Sequence, residues 1–138
     1  MAINGDRMYG DFLDKDNSVA IVGVSRDRKK WGYRIYRKLK PLFRKVYPVN
    51  LKYADIEGDK CYRELREIPE KPDLVITVVP PAVTERVVEI CGDMNIGKLW
   101  MQPGSESEKA IKMCKERGIE CMHGACFVAD GLKKGFDD

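Results

Sequence analysis

The sequence predicts an α/β domain in which five parallel strands form a doubly wound, Rossmann-like sheet with helices on both faces. Three observations predict it. Short continuous apolar runs rich in β-branched residues recur along the chain, as strands buried on both faces require. Amphipathic stretches with helical spacing alternate with those runs, which is the pattern of crossover helices over a parallel sheet. Each run stops at Gly, Pro or a polar residue, so each strand has a defined end.

The elements follow in order. Val19 to Val24 is a buried strand that ends in a Gly-Val-Ser turn. Trp31 to Phe43 carries Ile35, Leu39 and Leu42 on one face and Arg and Lys on the other, an amphipathic helix stopped near Pro41. Val46 to Asn50 is a second strand, and Pro48 inside it suits a strand end or a sheet edge. Tyr62 to Ile68 reads as a short helix. Leu74 to Val79 is the clearest strand and runs into Pro80 and Pro81, which cannot continue it. Ala82 to Asn95 is a helix with Val83, Val87, Ile90, Cys91 and Met94 on one face. Lys98 to Gln102 is a fourth strand ended by Pro103 and Gly104. Ser105 and Glu108 have capping-box spacing, with Ser105 as N-cap of a helix that stops at Gly118. Ile119 to His123 is a fifth strand. The expected strand order is 3-2-1-4-5. One domain is expected over residues 1–138, with an N-terminal helical segment over 1–17 and a loosely held tail over 131–138.

Composition limits the function classes. A chain of 138 residues, 43% hydrophobic and 34% charged, makes one globular domain with a heavily charged surface. A net charge of +3 is too small to argue for nucleic acid. No apolar run approaches a membrane span, and Met1 to Asp16 is not a signal peptide, so a cytoplasmic protein is expected. High charge with a single Gln is thermophile-like. The five cysteines form no Cys-x-x-Cys pair and His123 is the only histidine, which argues against zinc. Cys91 and Cys114 fall on apolar helix faces and read as core thiols, and Trp100 on a central strand reads as core.

In a doubly wound sheet, ligands sit beyond the carboxyl ends of the strands, at the switch point. Four strand ends there carry Gly, Pro or polar signals: Gly23 to Asp27, Pro48 to Asn50, Pro80 with Pro81, and Gln102 to Gly104. The first loop offers backbone freedom at Gly23, a hydroxyl at Ser25, and a helix N-terminus whose N–H groups favour phosphate. Arg26, Arg28, Lys29 and Lys30 add positive charge. A full G-x-G-x-x-G is missing, and Asn50 with Lys52 stands where a dinucleotide site places an acid on the ribose. An amide and an amine suit a phosphorylated ribose. That chemistry leaves coenzyme A and NADP both open.

The segments Ala20-Ile-Val-Gly-Val-Ser25, Lys30-Trp-Gly-Tyr33, Tyr47-Pro-Val-Asn50 and Leu99-Trp-Met-Gln-Pro-Gly104 occur in order, followed by a Cys-bearing end to strand five. This combination resembles the small stand-alone CoA-binding domain proteins, which resemble the N-terminal domain of the succinyl-CoA synthetase alpha subunit. The resemblance covers about Val19 to Ala129. It implies coenzyme A as the ligand, with the first loop at Gly23, Val24, Ser25 and Arg26, and the Trp-Gly pair at Trp31 and Gly32. The second-strand motif falls on Pro48, Val49 and Asn50, with Lys52 beyond, and the third-strand motif on Val79 and Pro80. The fourth-strand turn falls on Gln102, Pro103 and Gly104. Pro103 stands where many members have an aliphatic residue. With Lys30, Pro81 and Cys126, these residues form the expected cofactor site. Cys126 is expected near the thiol end of CoA.

No catalytic constellation is visible, since Ser25 lacks triad context and His123 has no acid partner or nucleophile in view. The expected role is a non-catalytic CoA or acyl-CoA module, carrier or sensor. An NADP-dependent oxidoreductase and an interaction protein that kept only the fold are the alternatives.

Overall fold

The computed structural model describes residues 9–136. Strands β1 (Ser18–Val22), β2 (Lys45–Val49), β5 (Leu74–Thr77), β6 (Lys98–Met101) and β7 (Glu120–Met122) form one sheet in which every neighbouring pair is parallel. Strands β3 (Asp55–Ile56) and β4 (Asp59–Lys60) make a separate two-stranded hairpin. The helices are α1 (Trp31–Leu39), α2 (Pro81–Met94) and α3 (Glu108–Glu116).

The faces of the sheet follow the two-residue period of the strands. Val19 and Ile21 of β1 pack with Leu74, Ile76 and Trp100 beneath Ile35, Tyr36 and Leu39 of α1. Ala20 and Val22 point the other way, with Val75, Leu99 and Met101, under Val87, Val88 and Cys91 of α2 and Ala110, Met113 and Cys114 of α3. β1 is buried along its whole length, so its unbroken apolar run is what a strand covered on both faces needs. Trp100 is fully buried and satisfies its indole N–H on the Ala125 carbonyl at 2.9 Å. Among the described residues no helix is long and apolar enough to cross a membrane.

The fold class is the expected one, but the strand order is not. The sheet runs β2-β1-β5-β6-β7, which for the parallel strands is 2-1-3-4-5, the other common doubly wound order. The reason lies in residues 50–73. That segment holds no crossover α-helix. The chain makes the β3–β4 hairpin and then returns along the outer margin of β2, where Tyr62 forms a parallel bridge with Val49. The Asn50 amide donates to the Tyr62 carbonyl at 2.9 Å, and the Tyr62 amide donates to the Pro48 carbonyl at 3.0 Å. This stub occupies the margin that strand three would need in the expected order. Pro48, lacking an N–H, faces that margin, so a full strand there would miss a ladder bond. Strand three therefore pairs on the far side of β1.

Smaller expectations also change. The short helix over Tyr62 to Ile68 contracts to a 3₁₀ turn at Leu65–Glu67. The N-cap of α3 is Ser107, whose hydroxyl accepts from the Ala110 amide at 3.0 Å and donates to Glu85 at 2.7 Å. Ser105 is buried and spends its hydroxyl accepting the Val79 amide at 3.0 Å, closing the end of β5. Of the expected N-terminal helix, residues 1–8 lie outside the described residues, and Gly10–Leu13 form a 3₁₀ turn with Phe12 buried. The described part of the tail begins at buried Gly131. A single π-turn at Phe127–Gly131 buries Phe127 and Val128 beneath the sheet, and Phe136 packs edge-on against Trp31 with ring centroids 5.2 Å apart.

Candidate functional site

The order 2-1-3-4-5 places the switch point between β1 and β5, where the chain leaves the two adjacent strands toward opposite faces. The loop after β1 is held there by contacts that only glycine permits. Gly23 has φ +107°, and a Cβ on it would stand 2.7 Å from Val79 Cγ1 and overlap the Val78 carbonyl. Gly32, in the first turn of α1, lies against Gly23, so a Cβ on Gly32 would overlap the Gly23 carbonyl oxygen and stand 2.9 Å from its carbon. The two glycines let α1 begin directly over the end of β1, the role that close helix–strand packing gives to glycine in nucleotide-binding turns.

Between these glycines the loop braces itself. Ser25 Oγ accepts from the Asp27 amide at 3.0 Å, Asp27 Oδ1 accepts from the Lys29 amide at 2.9 Å, and the Lys30 amide donates to the Asp27 carbonyl at 3.0 Å. The Ser25 hydroxyl hydrogen is not spent in these bonds, so it remains a donor. Lys30 is the N-cap of α1 and no side chain caps the helix. The leading amides of α1 thus carry their partial positive charge toward solvent beside exposed Arg28, Lys29 and Lys30. A phosphate is the group this arrangement suits. α2 also begins without a side-chain cap, at Pro80 and Pro81 on the β5 side of the crevice.

Other expected site residues turn out to brace the strand ends. Asn50 Nδ2 donates to the Val24 carbonyl at 2.8 Å, and its Oδ1 accepts the Lys52 amide at 2.8 Å. The Asn50 side chain therefore ties the end of β2 to the first loop, with both polar ends in use. Val49 is buried and its carbonyl accepts the Gly23 amide at 2.9 Å. Val24, Pro48 and Gly32 are likewise buried. Arg26 leans away from the loop onto the hairpin. Its Nε donates to the Asp55 carbonyl at 2.9 Å, its Nη2 to Asp55 Oδ1 at 3.2 Å, and its guanidinium stacks 5.0 Å from the centroid of Tyr53. Trp31 is 54% exposed, with Arg34 4.2 Å over its ring and Phe136 on its edge.

Beyond the end of β6, Gln102 and Cys126 meet. Buried Gln102 accepts the Phe127 amide on Oε1 at 2.7 Å and donates from Nε2 to Cys126 Sγ at 3.3 Å. Cys126 is the N-cap of the π-turn and also accepts the Ala129 amide at 3.5 Å. Pro103 and Gly104, at φ +92°, form the exposed turn after β6. Lys52 is exposed beside the end of β2. The expected residues thus divide into exposed ones, among them Lys30, Lys52, Pro80, Pro103 and Gly104, and buried or hydrogen-bonded ones that hold the strand ends together.

The sequence reading missed the hairpin. Its turn places Glu57 (φ +53°) and Gly58 (φ +82°) both in the left-handed region, as a two-residue hairpin turn requires. Gly58 was the available signal, weakened because Glu57 precedes it in place of Asn or Asp. Three carboxylates fix the hairpin. Asp55 holds Arg26, Glu57 accepts the Tyr33 hydroxyl, and Asp59 accepts the Tyr36 hydroxyl and pairs with Lys40 at 2.6 Å. Burial would raise the Asp59 pKa, but the bonds from Lys40 and Tyr36 outweigh it and hold the carboxyl below its ordinary value. The Tyr36 hydroxyl is pushed well up by burial and by Asp59.

The fold and crevice define a doubly wound α/β domain with an uncapped, cation-flanked helix N-terminus at its switch point. A family model described as a CoA binding domain matches residues 17–131, and the chain belongs to that family. It is 36% identical over 127 residues to the acetate–CoA ligase (ADP-forming) II subunit alpha of Pyrococcus furiosus, an alignment covering 84% of this chain and 28% of that one. It is 39% identical over 85 residues to an acetate–CoA ligase (ADP-forming) of Methanocaldococcus jannaschii, covering 62% of this chain and 12% of the ligase. The chain therefore spans little more than a quarter of the longer match and an eighth of the other. Among solved structures it resembles a conserved hypothetical protein from Pyrococcus furiosus, with 37% identity and a TM-score of 0.76, covering 85% of this chain and 98% of that one.

Proposed function

We propose that this chain binds coenzyme A or an acyl-CoA at the β1–β5 crevice and acts as a non-catalytic module, either carrying the thioester or sensing it. The observation that carries the reading is the uncapped N-terminus of α1 beside Arg28, Lys29 and Lys30, in a domain whose family is that of CoA-binding domains. Anionic phosphate is favoured there by the amides and by the cations together. The pantetheine arm extends along the strand ends toward Gln102 and Cys126. The relatives' ligase names motivate the choice of acyl-CoA among CoA species.

Isothermal titration with CoA, acetyl-CoA, dephospho-CoA, NADPH and NAD tests the reading. CoA and acetyl-CoA are expected to bind, dephospho-CoA more weakly, and NAD not at all. Equal affinity for NAD and CoA overturns it, and tighter binding of NADPH than of CoA transfers the site to a nicotinamide cofactor.

A further inference from the structure

A cavity of about 530 Å³ opens at the outer margin of β2, between the end of that strand, the root of the β3–β4 hairpin and the returning stub at Tyr62. Its walls carry two aromatic rings, Tyr53 and Tyr62, and three cations, Lys52, Lys60 and Arg63. Tyr53 is half-buried, with the Arg26 guanidinium 5.0 Å from its ring centroid. Tyr62 is half-buried too. Tyr47 packs edge-on against it at 5.7 Å, and the Lys60 ammonium lies 5.2 Å from its centroid. Leu51 on the same wall is 71% exposed, more than any other large apolar side chain among the described residues. The charge around the cavity is one-sided. The hairpin's own carboxylates are spent elsewhere, Asp55 on Arg26, Glu57 on Tyr33, and Asp59 on Tyr36 and Lys40. Among the described residues, Lys52, Lys60 and Arg63 make no ion pair. Glu67 is the single described carboxylate on the cavity wall, and it accepts the Arg63 backbone amide at 3.0 Å. Three cations against one acid leave the cavity positive, and a bound anion relieves their repulsion.

We propose that this cavity binds a phosphorylated nucleoside, its base against Tyr53 and Tyr62 and its phosphate among Lys52, Lys60 and Arg63. The volume is that of a small-molecule site. A flat base stacks on tyrosine, and exposed Leu51 gains cover when a ring arrives. Phosphate oxygens take charge-assisted hydrogen bonds from the ammonium and guanidinium groups. A bare anion would satisfy the cations and leave the rings and Leu51 in water, so the wall suits a ligand with both parts. In the sheet order β2-β1-β5 the cavity lies beyond β2, whereas the crevice lies between β1 and β5. The same chemistry recognises a free nucleotide and the nucleotide end of a CoA whose other end lies in the crevice. The cavity's own preference for a phosphorylated nucleoside does not depend on which of these supplies it.

The test titrates the protein calorimetrically with adenosine 3′,5′-bisphosphate, with adenosine and with inorganic pyrophosphate. The bisphosphate is expected to bind, and the other two more weakly, each lacking one of its parts. Lys60→Ala with Arg63→Ala is expected to weaken the bisphosphate by about tenfold. Tyr53→Leu is expected to weaken it while leaving pyrophosphate unchanged. Lys60→Gln with Arg63→Gln is prepared beside the alanine pair, because it keeps much of the side-chain length that lies along Tyr62. No binding of the bisphosphate to wild type overturns the proposal. So does an affinity unchanged in both double variants, or pyrophosphate binding as tightly as the bisphosphate. A further titration in saturating CoA separates the sources. Exclusion of the bisphosphate, with CoA weakened by the same double variant, assigns the cavity to the nucleotide end of CoA, and binding of both together assigns it to a free nucleotide. A bisphosphate that binds where CoA does not sinks the reading of the crevice and leaves this one standing. CoA that binds where the bisphosphate does not has the opposite result.

Discussion

The first turn of α1 rests on the end of β1 through one backbone contact, Gly32 against the Gly23 carbonyl, and no larger residue fits between them. Gly32→Ala is expected to force the helix away from the strand, lowering stability by about 1–3 kcal/mol as overpacking does. CoA affinity is expected to fall with it, because the leading amides of α1 move. Gly97→Ala is the control, since a Cβ there meets nothing within 4 Å and φ is not left-handed. That variant is expected to be neutral or up to about 1 kcal/mol more stable through the unfolded chain. Urea denaturation and titration calorimetry measure both.

Arg26 and Asp55 are both more than half exposed, so their pairing contributes little to stability, under about 1 kcal/mol. Its effect on ligand binding is expected to be larger. Asp55→Asn removes a carboxylate that competes with phosphate for the guanidinium, and CoA affinity is expected to rise. The double variant Arg26→Ala with Lys30→Ala is expected to weaken CoA binding by about tenfold and to flatten its salt dependence. Titrations at low and high salt read both effects, and an unchanged dissociation constant at low salt shows the cations to be merely solvated.

The hairpin latch sets an acid limit. Asp59 has a folded-state pKa below its unfolded value, so its contribution to stability is fully present above about pH 4. That contribution is lost as pH falls through the lower folded value. Asp59→Asn is therefore expected to be less stable than wild type at neutral pH and to converge on it as pH falls below about 4. Urea midpoints measured at both ends of that range check the sign. A gap that widens in acid contradicts the linkage.

Gln102 joins β6 to the C-terminal segment by accepting the buried Phe127 amide. Gln102→Leu leaves that amide without a partner and is expected to cost about 1–3 kcal/mol. Gln102→Glu keeps the acceptor and is expected to recover part of the loss at neutral pH. Thermal denaturation separates the two.

Cys126 stands at the Gln102 end of the crevice and is partly exposed. Incubation with CoA disulfide is expected to add one CoA to Cys126, read by intact mass and peptide mapping. Cys126→Ser is expected to lose that adduct, and its persistence on another thiol in this variant removes Cys126 from the site.

The sheet was legible because its information is local. The run from Val19 to Val22 and the run from Leu74 to Thr77 each state by composition that both faces are covered, and all five strands were placed within two residues of their ends. The strand-end loops were legible because Gly, Pro and polar stops at strand ends are local too. What escaped was decided by pairing between distant segments. Nothing near Tyr62 announces that it will bond to Pro48 and Asn50, yet that contact sets the strand order. Asn50 was readable as polar and correctly located, but its partners, the Val24 carbonyl and the Lys52 amide, make it a brace. Ser105 had the right spacing for a cap, and the Val79 amide claimed it first.

The stub at Tyr62 has a consequence for how the domain meets other molecules. It stoppers one margin of the sheet, leaving β2 little backbone to offer, while the opposite margin ends in the three residues of β7. Among the described residues the domain is thus lopsided, with a sealed flank and an open one. Any strand-to-strand docking belongs to the open flank.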